Sequence, residues 1–408
     1  MQRSGHADLP LHHGRVPPWL ASRMARLGRA IVEALVVEYG RGEVVRRLSD
    51  PLWFQSFGAV MGMDWHSSGI TTSVVGALKR GLNPIAKELG IYVCGGRGRH
   101  SRNTPQELMQ VADKTGLDGM GLVRSSRLTA KVDNTAIQDG FQIYLHSFIV
   151  TQEGEWAVVQ QGMNEQNGYA RRYHWHSQAF DSFVNNPHTS IYGENQGLIL
   201  NLTDQEADKT RSCVLGISTQ HPTRMLEEIR KIRLPAHHDV KAKDVDLRRL
   251  GSVIALAYEQ DLQDFESLLL LQGVGPRTLQ SLTLVSEVIY GTPSRFRDPA
   301  RYSFAHGGKD GKPFPVPTRV YDETIAVLSK AVEKAKIGQS EKKEAIKSLH
   351  ETAKRIEENF TPNDNFDKLI EKEWRESHQY GGRMVMDDAR EKKARPKRRP
   401  ADGQLRLF

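Results

Sequence analysis

The spacing of apolar residues changes twice along the chain. From 18 to 62 they recur every three or four positions, for example at Met24, Ile31 and Leu35, which predicts two or three short helices. Between 138 and 163 the period becomes two, in FQIYLHSFIVT and EWAVVQQGM, and the intervening QEG predicts a β-hairpin. A short strand, IYVCGG, and a capping box at Thr104 to Glu107 are expected before it.

Beyond about residue 202 the strand pattern stops and only helical periods follow. We therefore expect an α+β protein, with a mixed α/β domain first and an all-helical domain after it. Two further charged helices and a disordered basic tail complete the chain. The expected boundaries are 1–200 for the first domain, 201–318 for the helical domain, 319–380 for the charged helices and 381–408 for the tail.

Composition narrows the class of protein. The 408 residues are 38% hydrophobic and 26% charged, which excludes disordered and collagen-like chains. No apolar run is long enough for a membrane span or a signal sequence, so we expect a cytoplasmic protein without a membrane partner. Cys94 and Cys213 are the two cysteines and lack metal-site spacing.

The basic charge is concentrated in the tail. The net charge is +8, and residues 390–408 carry eight basic and two acidic side chains, so six of the eight net charges lie there. A basic arm on a nearly neutral body indicates a polyanionic partner such as DNA, although a tail that only aids solubility has a similar composition.

The clearest motif is LLLLQGVGPRTLQSLTLVSEVIYG, in which Gly273 and Gly275 separate two apolar helices. It resembles the helix-hairpin-helix DNA-binding element, in which glycine N–H groups and the next helix start bind a phosphate. Arg277 and Thr278 are candidates for added side-chain contacts. The alternative is an ordinary pair of helices joined by a glycine turn.

The same stretch resembles the helix-hairpin-helix DNA glycosylase superfamily. The resemblance implies a catalytic aspartate some twenty residues later, after a Gly-x-Pro step, and Asp298 follows Gly291-Thr292-Pro293 at nearly that distance. Arg277 holds the position of the lysine nucleophile of bifunctional members, so lyase activity is not expected. There is no cysteine set for an iron-sulfur cluster. An Asp-Pro turn is the competing interpretation of Asp298, and Lys309 in AHGGKDG is a further candidate phosphate contact.

The first 200 residues contain a second set of candidates. The glycine-rich loop with Arg97, Arg99 and Arg102 suits phosphates, but no Walker motif is present and no nucleotide cofactor is expected. Arg171 and Arg172 could pair with phosphates, or lie on a half-buried strand edge. A nuclease would need Mg²⁺ or Mn²⁺, and no spacing identifies its ligands. The candidates for that catalytic site are Lys131, Asp133 and Asp139, with His66, Glu155, His174 and His176.

Several of these segments together resemble one family over nearly all of residues 5 to 380. They include ADLPLHHGR, MDWHSSGITT, CGGRGRHSRNTP, ARRYHWHS and AHGGKDG. The chain is similar to the domain of unknown function 763 family, and that resemblance implies no established activity.

The last residues, QLRLF, resemble the peptide by which bacterial proteins dock on the DNA polymerase sliding clamp. Its matching residues are Gln404, Leu405, Leu407 and Phe408. Such an extended peptide needs only to place its apolar anchors in a pocket.

These features lead us to expect a nucleoid-associated DNA-binding protein of repair or replication-coupled processing. Three mechanisms stay open: base excision through Asp298, metal-dependent cleavage by a nuclease site in the first domain, and a non-catalytic adaptor recruited by the clamp. Base excision is slightly ahead of nuclease cleavage, and whether the protein is an enzyme is left open.

Overall fold

A six-stranded antiparallel sheet forms the centre of the computed structural model, which describes residues 9–10, 18–63, 68–166, 168–231, 247–300 and 318–359. The strands are β1 (Leu9–Pro10), β2 (Ile91–Arg97), β3 (Ile137–Gln138), β4 (Gln142–Thr151), β5 (Trp156–Asn164), β6 (Tyr169–His176), β7 (Ser190–Tyr192), β8 (Leu198–Asn201) and β9 (Phe296–Arg297). The large sheet has the order β1, β6, β5, β4, β2, and β7 also pairs with β6. A small second sheet has the order β3, β8, β9.

Helices cover both faces of the large sheet. They are α1 (Pro18–Tyr39), α2 (Arg41–Leu48), α3 (Pro51–Val60), α4 (Gly69–Leu82), α5 (Ala86–Leu89), α6 (Arg99–Arg102), α7 (Thr104–Thr115), α8 (Gly119–Lys131), α9 (Asp208–Ser218), α10 (Pro222–Lys231), α11 (Leu247–Glu259), α12 (Phe265–Leu270), α13 (Pro276–Tyr290), α14 (Thr318–Lys334) and α15 (Gln339–Asn359). One turn of π-helix, Val132–Ala136, follows α8 directly.

Two apolar cores lie on opposite faces of the sheet. On one face, residues such as Ile149 and Val159 pack with α1 to α4 and with α14 and α15. On the other face, Val158 and Trp175 share a core with α7 and α8, and this core continues into α9 to α13. Because successive residues of a strand point to opposite faces, each central strand is buried on both sides.

The structure confirms that the chain is a mixture of helices and antiparallel strands, as expected for an α+β protein. The β-hairpin around QEG is present as β4 and β5, with Val150 opposite Trp156. Helices α9 to α15 lie after residue 202, together with the two-residue strand β9, which pairs with β8 although no strand was expected there. The all-helical domain stays a prediction. The division into domains stays a prediction, and one apolar core includes residues from both sides of position 200.

One local prediction was wrong. Helix α7 begins at Thr104, but no capping box forms there. The Thr104 hydroxyl donates to the carbonyl of Ser101, and Glu107 accepts the N–H of Gly95 instead of closing the box. Within the ranges given above, no helix is long and apolar enough to cross a membrane.

Candidate nucleic-acid interface

The turn between α12 and α13 is a tight glycine hairpin on the protein surface. Gly273 has a φ of +89°, in the left-handed region that favours glycine. Leu271 and Val274 point inward and are buried, whereas Gly273 and Arg277 are exposed and Gly275 is half-buried. The two inward side chains therefore anchor a turn whose backbone stays accessible.

Side chains from neighbouring elements hold the carbonyl groups of this hairpin. Lys131 Nζ donates to the Val274 carbonyl at 2.5 Å, and Thr278 Oγ1 donates to that of Gly273 at 3.2 Å. Arg249 also donates to the Gly273 carbonyl, at 3.3 Å from Nη2. In the described part of the chain, the N–H groups of Gly273 and Gly275 donate to no backbone carbonyl. The hairpin thus uses two of its carbonyl acceptors internally and leaves these two N–H groups without a backbone acceptor.

The candidate residues beside the hairpin have separate roles. Thr278, expected to contact DNA, is buried and its hydroxyl is used inside the hairpin. Lys131, expected in a catalytic set with Asp133 and Asp139, instead contacts the hairpin. Burial lowers the pKa of Lys131, and the nearby charge of Arg249 lowers it further. Arg249 and Arg277 are exposed and add positive charge to the surface of the turn.

Asp133 lies in a buried polar network below this turn. Its carboxylate accepts hydrogen bonds from Gln160 Nε2 at 2.5 Å and Trp175 Nε1 at 3.0 Å, and contacts His188 Nε2 at 2.5 Å. Burial raises the pKa of Asp133, and these three contacts, His188 first, act in the opposite direction. The π-helical turn directs Asp133 inward, and such turns are frequent at functional sites.

The network continues from Gln160 through His146 in the middle of β4 to Ser126 in α8. His146 Nδ1 lies 2.8 Å from Gln160 Oε1, and His146 Nε2 lies 2.8 Å from the Ser126 hydroxyl. Burial lowers the pKa of His146 to about 4, so the ring is neutral near pH 7. A neutral ring that donates from Nδ1 accepts the Ser126 hydroxyl proton at Nε2, which satisfies each member of the chain.

Asp139 and Asp298 both pair with the guanidinium of Arg171. Arg171 Nη1 is 2.7 Å from Asp139, and its two terminal nitrogens bind both Asp298 oxygens, at 3.0 and 2.7 Å. Tyr173 donates its hydroxyl to Asp139 at 2.6 Å. The backbone N–H of Gln196 donates to Asp298 at 2.6 Å. Arg171 also donates to the Glu194 carbonyl.

The electrostatics of this cluster follow from its complete burial. The side chains of Arg171, Asp139 and Asp298 are at most 1% exposed. Burial raises the pKa of Asp139, and the neighbouring Asp298 raises it further, while Arg171 lowers it. Burial lowers the pKa of Arg171, but the two carboxylates outweigh this and leave it above its usual range. In this arrangement the Asp298 oxygens face protein donors, and the carboxylate joins β9 to β6.

Arg172, the next residue of β6, points to the opposite face of the sheet and is also buried. Its guanidinium donates to Gln55 Oε1 at 2.9 Å and to His174 Nε2 at 2.8 Å, and it packs on the ring of Phe54. Burial lowers the pKa of Arg172 to about 10. Burial, followed by the charge of Arg172, lowers the pKa of His174 well below its usual value. Neither arginine of β6 lies on the surface, where the sequence suggested a phosphate contact.

The three other candidate arginines are on the surface. Residues 97–102, which we name the arginine loop, comprise the last residue of β2, Gly98 and the short helix α6, and they present Arg97, Arg99 and Arg102 to solvent. The guanidinium of Arg97 lies 5.6 Å above the ring of Tyr144, within the range of a cation–π contact.

The remaining candidates divide into two groups. His66, Lys309 and the peptide 404–408 lie outside the described residues. Glu155 and His176 flank the ends of β5 and β6, and burial lowers the pKa of His176. Across the ranges that the structure describes, no three His, Cys, Asp or Glu side chains converge as a metal site would need.

Sequence analysis missed the partners of the buried clusters, namely Gln160, Tyr173, Trp175, His188 and Gln196. One signal was available: Arg171, Tyr173 and Trp175 alternate along β6 and therefore share one face of the sheet. Their contacts with Asp133 and Asp298 join residues 42 and 127 positions apart, and no local pattern encodes such pairs.

The fold and its surface features define an α+β protein with an exposed glycine hairpin, a separate arginine loop and two buried acidic clusters. The chain belongs to the family described as "protein of unknown function (DUF763)", whose sequence profile matches residues 5–316. No curated protein and no solved structure matches the chain.

Proposed function

We propose that this protein binds duplex DNA by its phosphate backbone, and that the hairpin between α12 and α13 is its main point of contact. The proposal rests on one observation: the hairpin carbonyls are held by Lys131, Arg249 and Thr278, while the N–H groups of Gly273 and Gly275 have no backbone acceptor among the described residues. Successive backbone N–H groups without an acceptor, beside exposed cations, can bind an anion.

Phosphate is the anion that this geometry suits best. A phosphate oxygen accepts two N–H donors at once, and the N-terminal end of α13 adds a favourable dipole. Such contacts involve no base, so binding is independent of sequence and weakens as salt rises. The helical region 201–318 is, in this proposal, a DNA-gripping domain of the helix-hairpin-helix type.

Replacing Gly275 with alanine tests this function. Gly275 has a φ of −143°, which alanine adopts freely, and its added Cβ lies 3.7 Å from the nearest atom, so the fold tolerates it. The methyl group would occupy the side from which a phosphate approaches. We expect roughly tenfold weaker binding to labelled duplex in fluorescence anisotropy, equivalent to about one charge-assisted hydrogen bond.

Gly216→Ala is the matched control. Gly216 is exposed in α9 and its added Cβ meets no atom within 4 Å. This variant keeps the wild-type affinity if the hairpin is the contact. Equal affinities of Gly275→Ala and the wild type, with equal thermal stability, would contradict the proposal.

The hairpin proposal concerns binding, and catalysis is a separate matter. Base excision through Asp298 would require its carboxylate to leave Arg171, because both oxygens are bound inside the protein. Asp133 and Asp139, the candidates for a nuclease site, belong to two separate networks. The buried acidic clusters therefore support a structural role, and the DNA-structure-binding adaptor is the mechanism that this geometry favours.

An activity assay separates the three mechanisms. The purified protein is incubated with intact and base-damaged duplex, in Mn²⁺ or in EDTA, and the products are resolved with and without alkali. The adaptor predicts binding without strand breaks. Alkali-dependent breaks in EDTA would restore base excision, and direct breaks that need Mn²⁺ would restore the nuclease.

We further propose, from the sequence, that Gln404, Leu405, Leu407 and Phe408 dock on the sliding clamp and that the protein acts in repair or replication-coupled processing. Deletion of 404–408 should abolish binding to the clamp and leave binding to naked DNA unchanged. Retention of clamp binding after the deletion would exclude this peptide as the docking site.

A further inference from the structure

We propose that the arginine loop is a second phosphate-binding element, and that one DNA duplex contacts this loop and the α12–α13 hairpin together. The inference rests on the proposed function and extends it to a partner surface made by both halves of the chain. It depends on three observations: the loop is held rigidly, its charges are unopposed, and it lies near the hairpin.

The base of the arginine loop is fixed by an ion pair. Lys79 Nζ donates to the Gly95 carbonyl at 2.7 Å, and Glu107 accepts the Gly95 N–H at 2.7 Å. Lys79 and Glu107 also bind each other at 2.7 Å. The Gly98 N–H donates to the Tyr144 carbonyl at 2.9 Å. A loop held at both points loses little conformational freedom when it binds a ligand.

The fixed base also determines the charge of the surface. The loop RGRHSR contains no acidic residue, and Arg97, Arg99 and Arg102 are all exposed. The neighbouring carboxylate of Glu107 is neutralised by Lys79. Three guanidinium groups within six residues therefore present a positive potential that favours a polyanion.

A short path of contacts joins the loop to the hairpin. The Gly98 N–H binds the carbonyl of Tyr144 in β4, and the preceding residue, Ile143, donates its N–H to Asn134 Oδ1 at 3.4 Å. Asn134 lies in the π-helical turn directly after Lys131, and Lys131 binds the hairpin. Even if this path were straight, the loop and the hairpin would be less than about 30 Å apart.

That separation fits a single duplex. One turn of DNA is about 34 Å long, so both elements reach phosphates within one turn. The backbone of both elements is held by hydrogen bonds within the protein, and a duplex is stiff over about 150 base pairs. A duplex bound at one element is therefore positioned to contact the other. A single strand is too flexible to provide this coupling, and the geometry therefore favours duplex DNA.

The test removes two loop charges and measures the salt dependence of binding. The double variant Arg99→Ala/Arg102→Ala is titrated with a labelled duplex of about 30 base pairs, three turns long, at several salt concentrations. Each lost phosphate contact reduces the magnitude of the negative slope of log K against log salt by about 0.9, so we expect the slope to become shallower by nearly 2. Titration at high protein concentration should give one duplex per protein.

Lys343→Ala/Lys347→Ala is the matched control, because it removes the same charge from exposed positions of α15, whose core is on the other face of the sheet. Its slope should equal that of the wild type. A loop variant with the control's slope would overturn the inference, as would an equal loss of slope on single-stranded DNA or two duplexes per protein. If Gly275→Ala binds normally while the loop variant binds weakly, the hairpin proposal fails independently.

Discussion

Replacement of Arg171 by methionine is the most direct test of the buried cluster. The substitution keeps the length of the side chain and removes the charge that two carboxylates share. Asp139 and Asp298 are then left without their common cation in a site that excludes water. A buried carboxylate in that position becomes protonated rather than stay charged.

The cost follows from the protonation that burial forces. A carboxyl group with a usual pKa of about 3.9 must take up a proton at pH 7, which costs about 4 kcal/mol for one group. The same step at pH 5 costs about 1.5 kcal/mol. Because the pKa of this carboxyl group is higher in the folded variant than in the unfolded chain, the free energy of unfolding of the variant increases as the pH falls toward 3.9. The deficit relative to wild type should therefore shrink by about 2.7 kcal/mol between pH 7 and pH 5.

Urea unfolding of the variant and the wild type at both pH values measures this difference. Arg277→Met is the control, because Arg277 is exposed and its loss should change stability by less than about 0.5 kcal/mol. A deficit below about 1 kcal/mol for Arg171→Met, or one of equal size at pH 5 and pH 7, would refute a charged buried cluster.

Three further variants probe the hairpin and the second polar network. Gly273→Ala should lower stability by about 1 to 2 kcal/mol in thermal unfolding, because alanine is strained at a φ of +89°, whereas Gly275→Ala should be nearly neutral; equal effects would contradict the backbone assignment. Lys131→Met should release the hairpin carbonyl and speed amide hydrogen exchange at residues 272–275, and unchanged exchange would show that Lys131 does not hold the turn. The folded pKa of His146 lies below the unfolded value, so its contribution is present above about pH 6.5 and is lost as the pH falls toward 4. Between these pH values the wild type should lose about 3 kcal/mol of stability that His146→Gln does not lose, as measured by urea unfolding. Parallel pH profiles of the two proteins would contradict the low pKa.

Regular periodicity explains what sequence could predict here. In α11, for example, buried Leu250, Val253 and Ile254 alternate with exposed Arg248, Arg249 and Ser252, so a helical period is visible in the sequence. The β4–β5 hairpin was predictable because apolar β-rich runs flank a glycine turn. The hairpin between α12 and α13 was located because Gly273 and Gly275 interrupt two apolar helices.

The candidate sites were less predictable because the same local sequence pattern can occur at an exposed binding site or in a buried structural cluster. The pattern around Arg171 and Arg172 fits either a phosphate contact or a half-buried strand edge, and the sheet, covered on both faces, buries both arginines completely. Asp133 and Asp139 are six positions apart and lie in different networks, since Asp133 belongs to the π-helical turn and Asp139 follows β3. Glu107 had the spacing of a capping box, but Lys79 and Gly95 bind it instead. Each outcome depends on residues that are distant in sequence.

The placement of α14 and α15 against the first helices has a consequence for synthesis on the ribosome. The Ser348 hydroxyl binds the carbonyl of Ala59, across 289 positions of sequence. At a translation rate of roughly 5 to 20 residues per second, about 15 to 60 seconds pass between synthesis of α1 and α3 and synthesis of the helices that cover their apolar surface. During that interval the nascent chain exposes a surface that chaperones bind, and a premature stop before residue 318 would leave it exposed permanently.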